Sequence, residues 1–412
     1  MKKVLVPRVR FKGFDEEWKE ERLENIYSFA SEGGTPDTNK DIYYKPGLFY
    51  FTKIEDMANK YISHTKAKIS ELGLKNSSAW IIPKNNILFS NGATIGNVSI
   101  NKVDLSTKQG IVGMIIKKKF NLEFIYYLLK SENFQSKVAE KITVGTIPTV
   151  AIFNLKKIEL FLSKNIYEQQ KIGKLLENID NLITHEEIKL NKLKQLRETL
   201  LQKMFPEGNS KVPRIRFKGF YEEWKEYKFN DIGSYYSTSS LSYNDLSKGG
   251  QYKCVLYGEL YTKYNERIFN VISRTNKKIT LTQPNDILFP TSTTVDSYSL
   301  ISPSCVNEEN VMAGGDLFGI RPYKNINGNF ISYYINNVEY IKNKLANKAQ
   351  GLTIIHLYYK NILNENLYIA SLEEQNKIAK LFVKIDILIN LYNSKLNKLR
   401  QIKEALLQNM FV

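Results

Sequence analysis

At 412 residues and 47.7 kDa the chain is too long for one ordinary core, and 42% hydrophobic with 25% charged residues excludes a disordered or fibrous polypeptide. Lys and Arg outnumber Asp and Glu 59 to 42, and the net charge of +17 points to a polyanionic partner, nucleic acid or an anionic membrane surface. Two cysteines, Cys254 and Cys305, make a disulfide framework unexpected, and no apolar run of about 18 residues suggests a membrane span.

The chain opens with Met1-Lys-Lys-Val-Leu-Val6, which runs at once into Pro7 and charge without the apolar core of a signal segment. A cytoplasmic protein that does not enter a membrane is the expectation. Residues 1–20 form a lead-in segment whose Phe11, Phe14 and Trp18 are expected to pack against a frame. Residues 21–166 read as a mixed, mostly β domain: Gly33-Gly-Thr-Pro36 is turn chemistry, Ile87-Leu-Phe89 an apolar strand and Ile111-Val-Gly-Met-Ile-Ile116 another. A helix is expected around residues 122–137. From 167 to 205 there is no Pro, and Ile172, Leu176, Ile179, Ile183, Leu190, Leu193, Leu200 and Met204 alternate in steps of three and four, with Glu186 and Arg197 interrupting. This is a heptad seam on a helix of roughly 55 Å. Pro206-Glu-Gly-Asn-Ser210 ends it and opens a linker with a second lead-in segment, residues 206–226.

The chain then repeats itself. Val6-Pro-Arg-Val-Arg-Phe-Lys-Gly-Phe14 returns as Val212-Pro-Arg-Ile-Arg-Phe-Lys-Gly-Phe220, an offset of 212 − 6 = 206. The same offset relates Glu168-Gln-Gln-Lys-Ile172 to Glu374-Gln-Asn-Lys-Ile378 and Leu200-Leu-Gln-Lys-Met-Phe205 to Leu406-Leu-Gln-Asn-Met-Phe411. Residues 227–371 are the second β-rich domain, with a helix expected around 329–345. Residues 372–412 are the second long helix, with Ile378, Phe382, Ile385, Ile389, Leu396, Leu399, Leu406 and Met410 on its seam and Tyr392 and Lys403 interrupting. Equivalent seams in one chain are expected to pair, and a pseudo-two-fold axis would make the helices antiparallel with one β domain at each end. The fold class is therefore α+β, two recognition-type domains separated by an antiparallel coiled coil.

Catalytic motifs are scarce. His64, His185 and His356 have no metal-ligand spacing with the cysteines, and there is no Gly-x-x-x-x-Gly-Lys-Ser/Thr phosphate loop, no dinucleotide fingerprint and no Pro-Pro of a base-modifying tetrapeptide. Glu17-Trp-Lys19 and Glu223-Trp-Lys225 imitate half of a nuclease motif, but neither has an upstream Pro-Asp pair and both sit beside an aromatic anchor. Recognition remains. Small polar loops that can approach phosphate and read base edges give the candidate DNA contacts. These are Thr35, Lys53, Asn91, Thr94, Lys108, Gln109, Thr146 and Thr149 in the first domain, and Thr291, Ser292, Thr293, Thr294, Gln350 and Thr353 in the second.

Over its whole length the chain resembles the specificity subunits of Type I restriction-modification enzymes. The resemblance rests on Gly33-Gly-Thr-Pro36, on Asn86-Ile-Leu-Phe-Ser-Asn-Gly-Ala-Thr-Ile-Gly96, and on Gly145-Thr-Ile-Pro148 followed by Glu168-Gln-Gln-Lys-Ile-Gly-Lys-Leu-Leu-Glu-Asn-Ile-Asp180. The second domain departs from the pattern, with Thr293-Thr-Val-Asp296 and Gly351-Leu-Thr353 at the corresponding places. The resemblance implies a subunit that is not itself an enzyme. It would bind double-stranded DNA at a bipartite target, one half-site per domain, with the spacing set by the paired helices. Two modification (methyltransferase) subunits would bind S-adenosylmethionine and methylate adenine, and restriction subunits would use ATP and Mg for translocation and cleavage. No cofactor or metal is expected on this chain. The residues alone leave two other readings open, a stand-alone DNA-modifying enzyme and a non-specific DNA-binding coiled-coil adaptor.

Overall fold

Ile87–Ser90 in the first half and Ile287–Pro290 in the second are uniformly buried, which is why both read as unbroken apolar runs instead of alternating ones. Each lies at the centre of a five-stranded sheet. In the first half the strand order is Tyr27–Glu32, Ile111–Ile116, Ile87–Ser90, Val98–Asn101, Tyr61–Ile62. In the second it is Gly233–Ser237, Leu317–Pro322, Ile287–Pro290, Ser304–Val306, Arg267–Ile268. Both sheets are antiparallel except at the last, parallel pair. A smaller mixed sheet accompanies each, three-stranded around Phe49–Thr52 and four-stranded around Tyr252–Leu256 and Val311–Gly314. The computed structural model describes residues 6–92, 94–143, 148–208 and 210–412.

The chain divides into two compact units, the first comprising Met1–Glu187 with Ser394–Val412, the second Ile188–Asn393. The long helices, Ile166–Lys203 and Leu372–Met410, are each shared between the units. Every unit thus holds one β domain, the start of that domain's own helix and the end of the other helix. Within each unit the helix segments run antiparallel. In the first, Asp180 pairs with Lys403 at 2.6 Å and Glu186 with Lys395 at 3.0 Å. In the second, Arg197 pairs with Asp386 at 2.6 Å, and Phe205 stacks on Phe382 with ring centroids 5.9 Å apart. No described helix is long and apolar enough to cross a membrane.

The seam residues are inside. Ile172, Leu176, Ile179, Leu190, Met204, Ile378, Phe382, Ile385, Leu396 and Met410 are buried, and Ile183, Leu193, Leu200, Ile389, Leu399 and Leu406 half-buried. Leu201, which the heptad pattern does not select, is also buried, and it joins the second core beside Met204 and Phe205. The repeated Met-Phe pair plugs the end of each helix into a β domain. Phe205 packs on Trp224, Phe330 and Tyr334, and Phe411 packs on Trp18 and Phe124. Full burial of each ring contributes about 1.5–3 kcal/mol.

One expectation needs correction. The helix placed around 122–137 is two helices, Leu122–Lys130 and Glu132–Ala139. Ser131 between them is extended (φ −65°, ψ 148°); its hydroxyl donates to Leu128 O at 2.7 Å and accepts from Phe134 N at 3.4 Å. It ends one helix and caps the next. The second half breaks likewise at Val338, between Gly328–Asn337 and Glu339–Ala346.

Candidate nucleic-acid interface

The repeated frame is a set of buried polar brackets that fix where the loops stand. Glu168, wholly buried at the start of the first long helix, accepts from Arg10 Nε at 2.6 Å, Arg10 Nη2 at 3.0 Å and Trp18 Nε1 at 3.2 Å. Next to it, Gln169 Oε1 accepts from Asn121 N at 2.9 Å, tying that helix to the N-terminus of Leu122–Lys130. The second unit repeats every one of these contacts. Glu374 accepts from Arg216 at 2.8 Å and from Trp224 at 3.1 Å, and Gln375 accepts from Asn327 N at 2.9 Å. The Glu-Trp-Lys segments are therefore structural anchors with a buried Trp.

On this frame the first domain gathers its candidate loops into one hydrogen-bonded chain. Gly33 approaches so closely that a Cβ there would lie 2.1 Å from Thr107 O, so the Gly-Gly turn is required for packing. Beyond it, Thr35 Oγ1 accepts from Gln109 N at 3.3 Å, and Lys108 N donates to Thr52 O at 2.9 Å, beside Lys53. Gly110 adopts φ +91°, and its N–H donates to Glu32 Oε1 at 2.7 Å. Its carbonyl accepts from Asn91 N at 3.0 Å. Asn91 is buried, with its amide donating to Val150 O at 3.2 Å and its carbonyl accepting from Val150 N at 2.8 Å. Asn91 holds loops together, while Lys108, Gln109, Thr94 and Thr149 are exposed around it. Thr149 exchanges backbone bonds with Thr143 at 2.9 and 3.3 Å. Thr146 lies outside the described residues.

The second domain builds the same region differently. Ser292–Thr293 pairs with Ile355–His356, which also closes on Gln350 through bonds of 2.9 and 2.7 Å. Thr291 N donates to Asp316 O at 2.8 Å, and Thr291 O accepts from Leu357 N at 2.9 Å. Ser292 and Thr293 are buried, whereas Thr294, Gln350, Thr353 and the fully exposed Leu352 stand outward. Ser292, Thr293 and Thr294 border an open cavity of about 880 Å³ that also meets Tyr257, Tyr261 and Lys342. Sequence reasoning missed Lys342. Its ammonium lies 4.5 Å from the centre of the Tyr298 ring, and burial lowers its pKa against the pull of Glu266 and Asp296. Nothing in the pattern of Glu339–Ala346 distinguishes it from a solvated lysine.

Among the described residues no group of three or more His, Cys, Asp or Glu could hold a metal ion. Burial pushes the Cys254 thiol up to about 11, the opposite of an activated nucleophile. What both units offer is exposed polar tips carried on braced backbone.

The profile of the Type I restriction modification DNA specificity domain matches residues 15–195 and again 221–401, two copies at the same offset of 206. The chain belongs to this family. The MjaIX specificity subunit of a Type I restriction enzyme from Methanocaldococcus jannaschii is 30% identical over 219 residues, which are 52% of this chain and 47% of that protein. The chain thus matches about half the length of that relative. The MjaX specificity subunit of the same organism is 24% identical over 409 residues, 95% of this chain and 92% of that one. The crystal structure of a Type I restriction-modification S subunit from M. genitalium shares the fold, with a TM-score of 0.63, 16% identity and 99% of each chain covered. The specificity-family fold, mixed sheets with long helices in a duplicated chain, is thereby established for this protein.

Proposed function

We propose that this specificity subunit reads a two-part DNA target, one half-site through each recognition domain, and presents it to modification subunits that methylate adenine. The observation that carries the reading is a contrast. The brackets at Glu168 and Glu374 are the same in both units, while the loops they support differ in sequence, pairing and shape. A common frame with unlike tips suits two readers of different sequence. The basic surface supplies the phosphate attraction, and exposed side chains such as Gln109 and Gln350 are of the types that address base edges.

In this reading the chain is not the catalyst. S-adenosylmethionine belongs to two modification subunits, and ATP and Mg to restriction subunits; none of these is assigned to this chain. The specificity subunit holds the duplex while its partners extract the base.

The test is domain replacement. Residues 21–166 are exchanged for the first recognition domain of another family member, the chain is co-expressed with its modification subunit, and methylated sites are mapped by sequencing. One half-site should change and the other remain. A change in both, or methylation by the purified chain alone, would overturn the proposal.

A further inference from the structure

The 206-residue offset places side chains of the two units in one-to-one correspondence, and the junction between β domain and helices breaks the correspondence in charge. Three positions are kept: Asp180 and Asp386, Tyr127 and Tyr333, and the cations Lys403 and Arg197. In both units the tyrosine hydroxyl donates to the aspartate and the cation pairs with it, Tyr127 to Asp180 at 2.6 Å and Lys403 to Asp180 at 2.6 Å. In the second unit Tyr333 and Arg197 meet Asp386 in the same way.

Four neighbouring positions are exchanged. Lys60 stands where the second unit has Glu266, Tyr61 where it has Arg267, Glu123 where it has Asn329 and Glu177 where it has Val383. In the first unit Lys60 pairs with Glu123 at 2.5 Å and donates to Tyr127 Oη at 3.0 Å. Tyr61 donates to Glu123 at 2.8 Å and to Glu177, on the long helix, at 2.7 Å. In the second unit Glu266 accepts from Arg197 Nη2 at 3.0 Å. Arg267 uses its Nε on Asn307 at 2.8 Å, but its Nη1 is buried without a hydrogen-bond partner, in the place where the first unit would offer Glu177.

We propose that this junction is a charge code that admits the second recognition domain to either place in the duplicated frame but confines the first domain to its own. Carried into the second place, the first domain brings Lys60 towards Arg197 and leaves Tyr61 facing Val383. A like charge replaces a carboxylate, and a half-buried hydroxyl loses an acceptor. Carried into the first place, the second domain brings Glu266 to Lys403, Arg267 to Glu177 and Tyr333 to Asp180, so each charge meets its opposite. Unpaired charge at a partly buried junction is costly, which makes the exchange one-way. If the reading under "Proposed function" holds, a symmetric target is reachable only from two copies of the second domain.

Two full-length hybrids test this by thermal unfolding, a readout that needs no DNA and so stands apart from the recognition proposal. One carries residues 227–371 in place of 21–166 as well as in their own place; the other carries residues 21–166 in place of 227–371. The first hybrid should melt like the native chain. The second should melt several degrees lower or be recovered insoluble, and Val383→Glu in its frame should restore solubility and melting, with Val383→Gln restoring less. Equal melting of the two hybrids, a destabilised first hybrid, or no recovery with V383E would overturn the charge code.

Discussion

The indole of Trp18 donates to the carboxylate of Glu168 at 3.2 Å across 150 residues of chain, and Trp224 donates to Glu374 at 3.1 Å across the same separation. Each carboxylate also takes two bonds from an arginine of the lead-in segment. Three donors on one wholly buried carboxylate fasten the lead-in segment to its helix. Removing the carboxylate leaves Arg10 and Trp18 without their shared acceptor. Glu168→Ala is therefore expected to cost about 3 kcal/mol, within the range for breaking one side of a buried ion pair, and Trp18→Phe about 1 kcal/mol for one lost hydrogen bond. Urea unfolding followed by circular dichroism measures both; a loss below about 1 kcal/mol for Glu168→Ala would make the bracket incidental.

The sequence made this frame legible because duplication had marked it. Residues repeated at the 206 offset are the ones the structure buries and brackets: Arg10, Trp18, Glu168, Gln169 and Phe205, with their counterparts. The heptad spacing likewise placed the seam, since a helix with one apolar stripe has a fixed period. The break at Ser131 was hidden because the apolar pattern runs through it and only the serine's two local hydrogen bonds separate the helices. The loop cluster was legible as composition but not as geometry. Asn91 has the side chain of a base reader, yet Val150, distant in sequence, engages its amide, and no local pattern encodes that pairing.

Lys108 and Gln109 share one exposed turn but should behave differently on DNA. Lys108 carries a charge and Gln109 an amide, and Gly110 behind them is held by Glu32 at 2.7 Å, so substituting either tip leaves the turn braced. Lys108→Ala should weaken binding to all sequences about equally and reduce the salt dependence by about one unit of slope. Gln109→Ala should instead narrow the gap between the preferred and a mismatched first half-site by about 1–3 kcal/mol, the worth of a two-bond base contact. Titrations of the complex on matched and mismatched duplexes at several salt concentrations separate the two; identical salt slopes and discrimination for both variants would remove this turn from the interface.

Acid should loosen the molecule before base does. Burial pushes the Glu177, Glu308 and Glu365 carboxyls upward, but their partners outweigh it, and all three are held below the ordinary value of 4.5. The partners are Tyr61 and Lys174 for Glu177, Lys253 and the Val271 amide for Glu308, and Lys348 and Lys344 for Glu365. A depressed folded-state value means that the unfolded chain takes up protons first. The stability these groups contribute is present above about pH 4.5 and is lost as pH falls through their folded values. Melting temperatures should hold between pH 7 and 5 and drop below about 4. The triple variant with Gln at these positions should show a shallower drop; an unchanged pH profile would assign the acid sensitivity to other groups.

The long helices carry the last expectation, which follows from the proposal that they set the distance between half-sites. Seven residues extend a helix by about 10 Å, and a base pair advances duplex DNA by about 3.4 Å. One heptad inserted in register into both Ile166–Lys203 and Leu372–Met410 keeps every seam position facing its partner. The unread spacer of the target should therefore lengthen by about three base pairs while both half-sites stay the same. A four-residue insertion would rotate the downstream seam and should instead reduce solubility. Methylome mapping with the co-expressed modification subunit reads the spacer directly. An unaltered spacer in a folded, active heptad variant would show that the helices hold the domains without measuring the DNA between the half-sites.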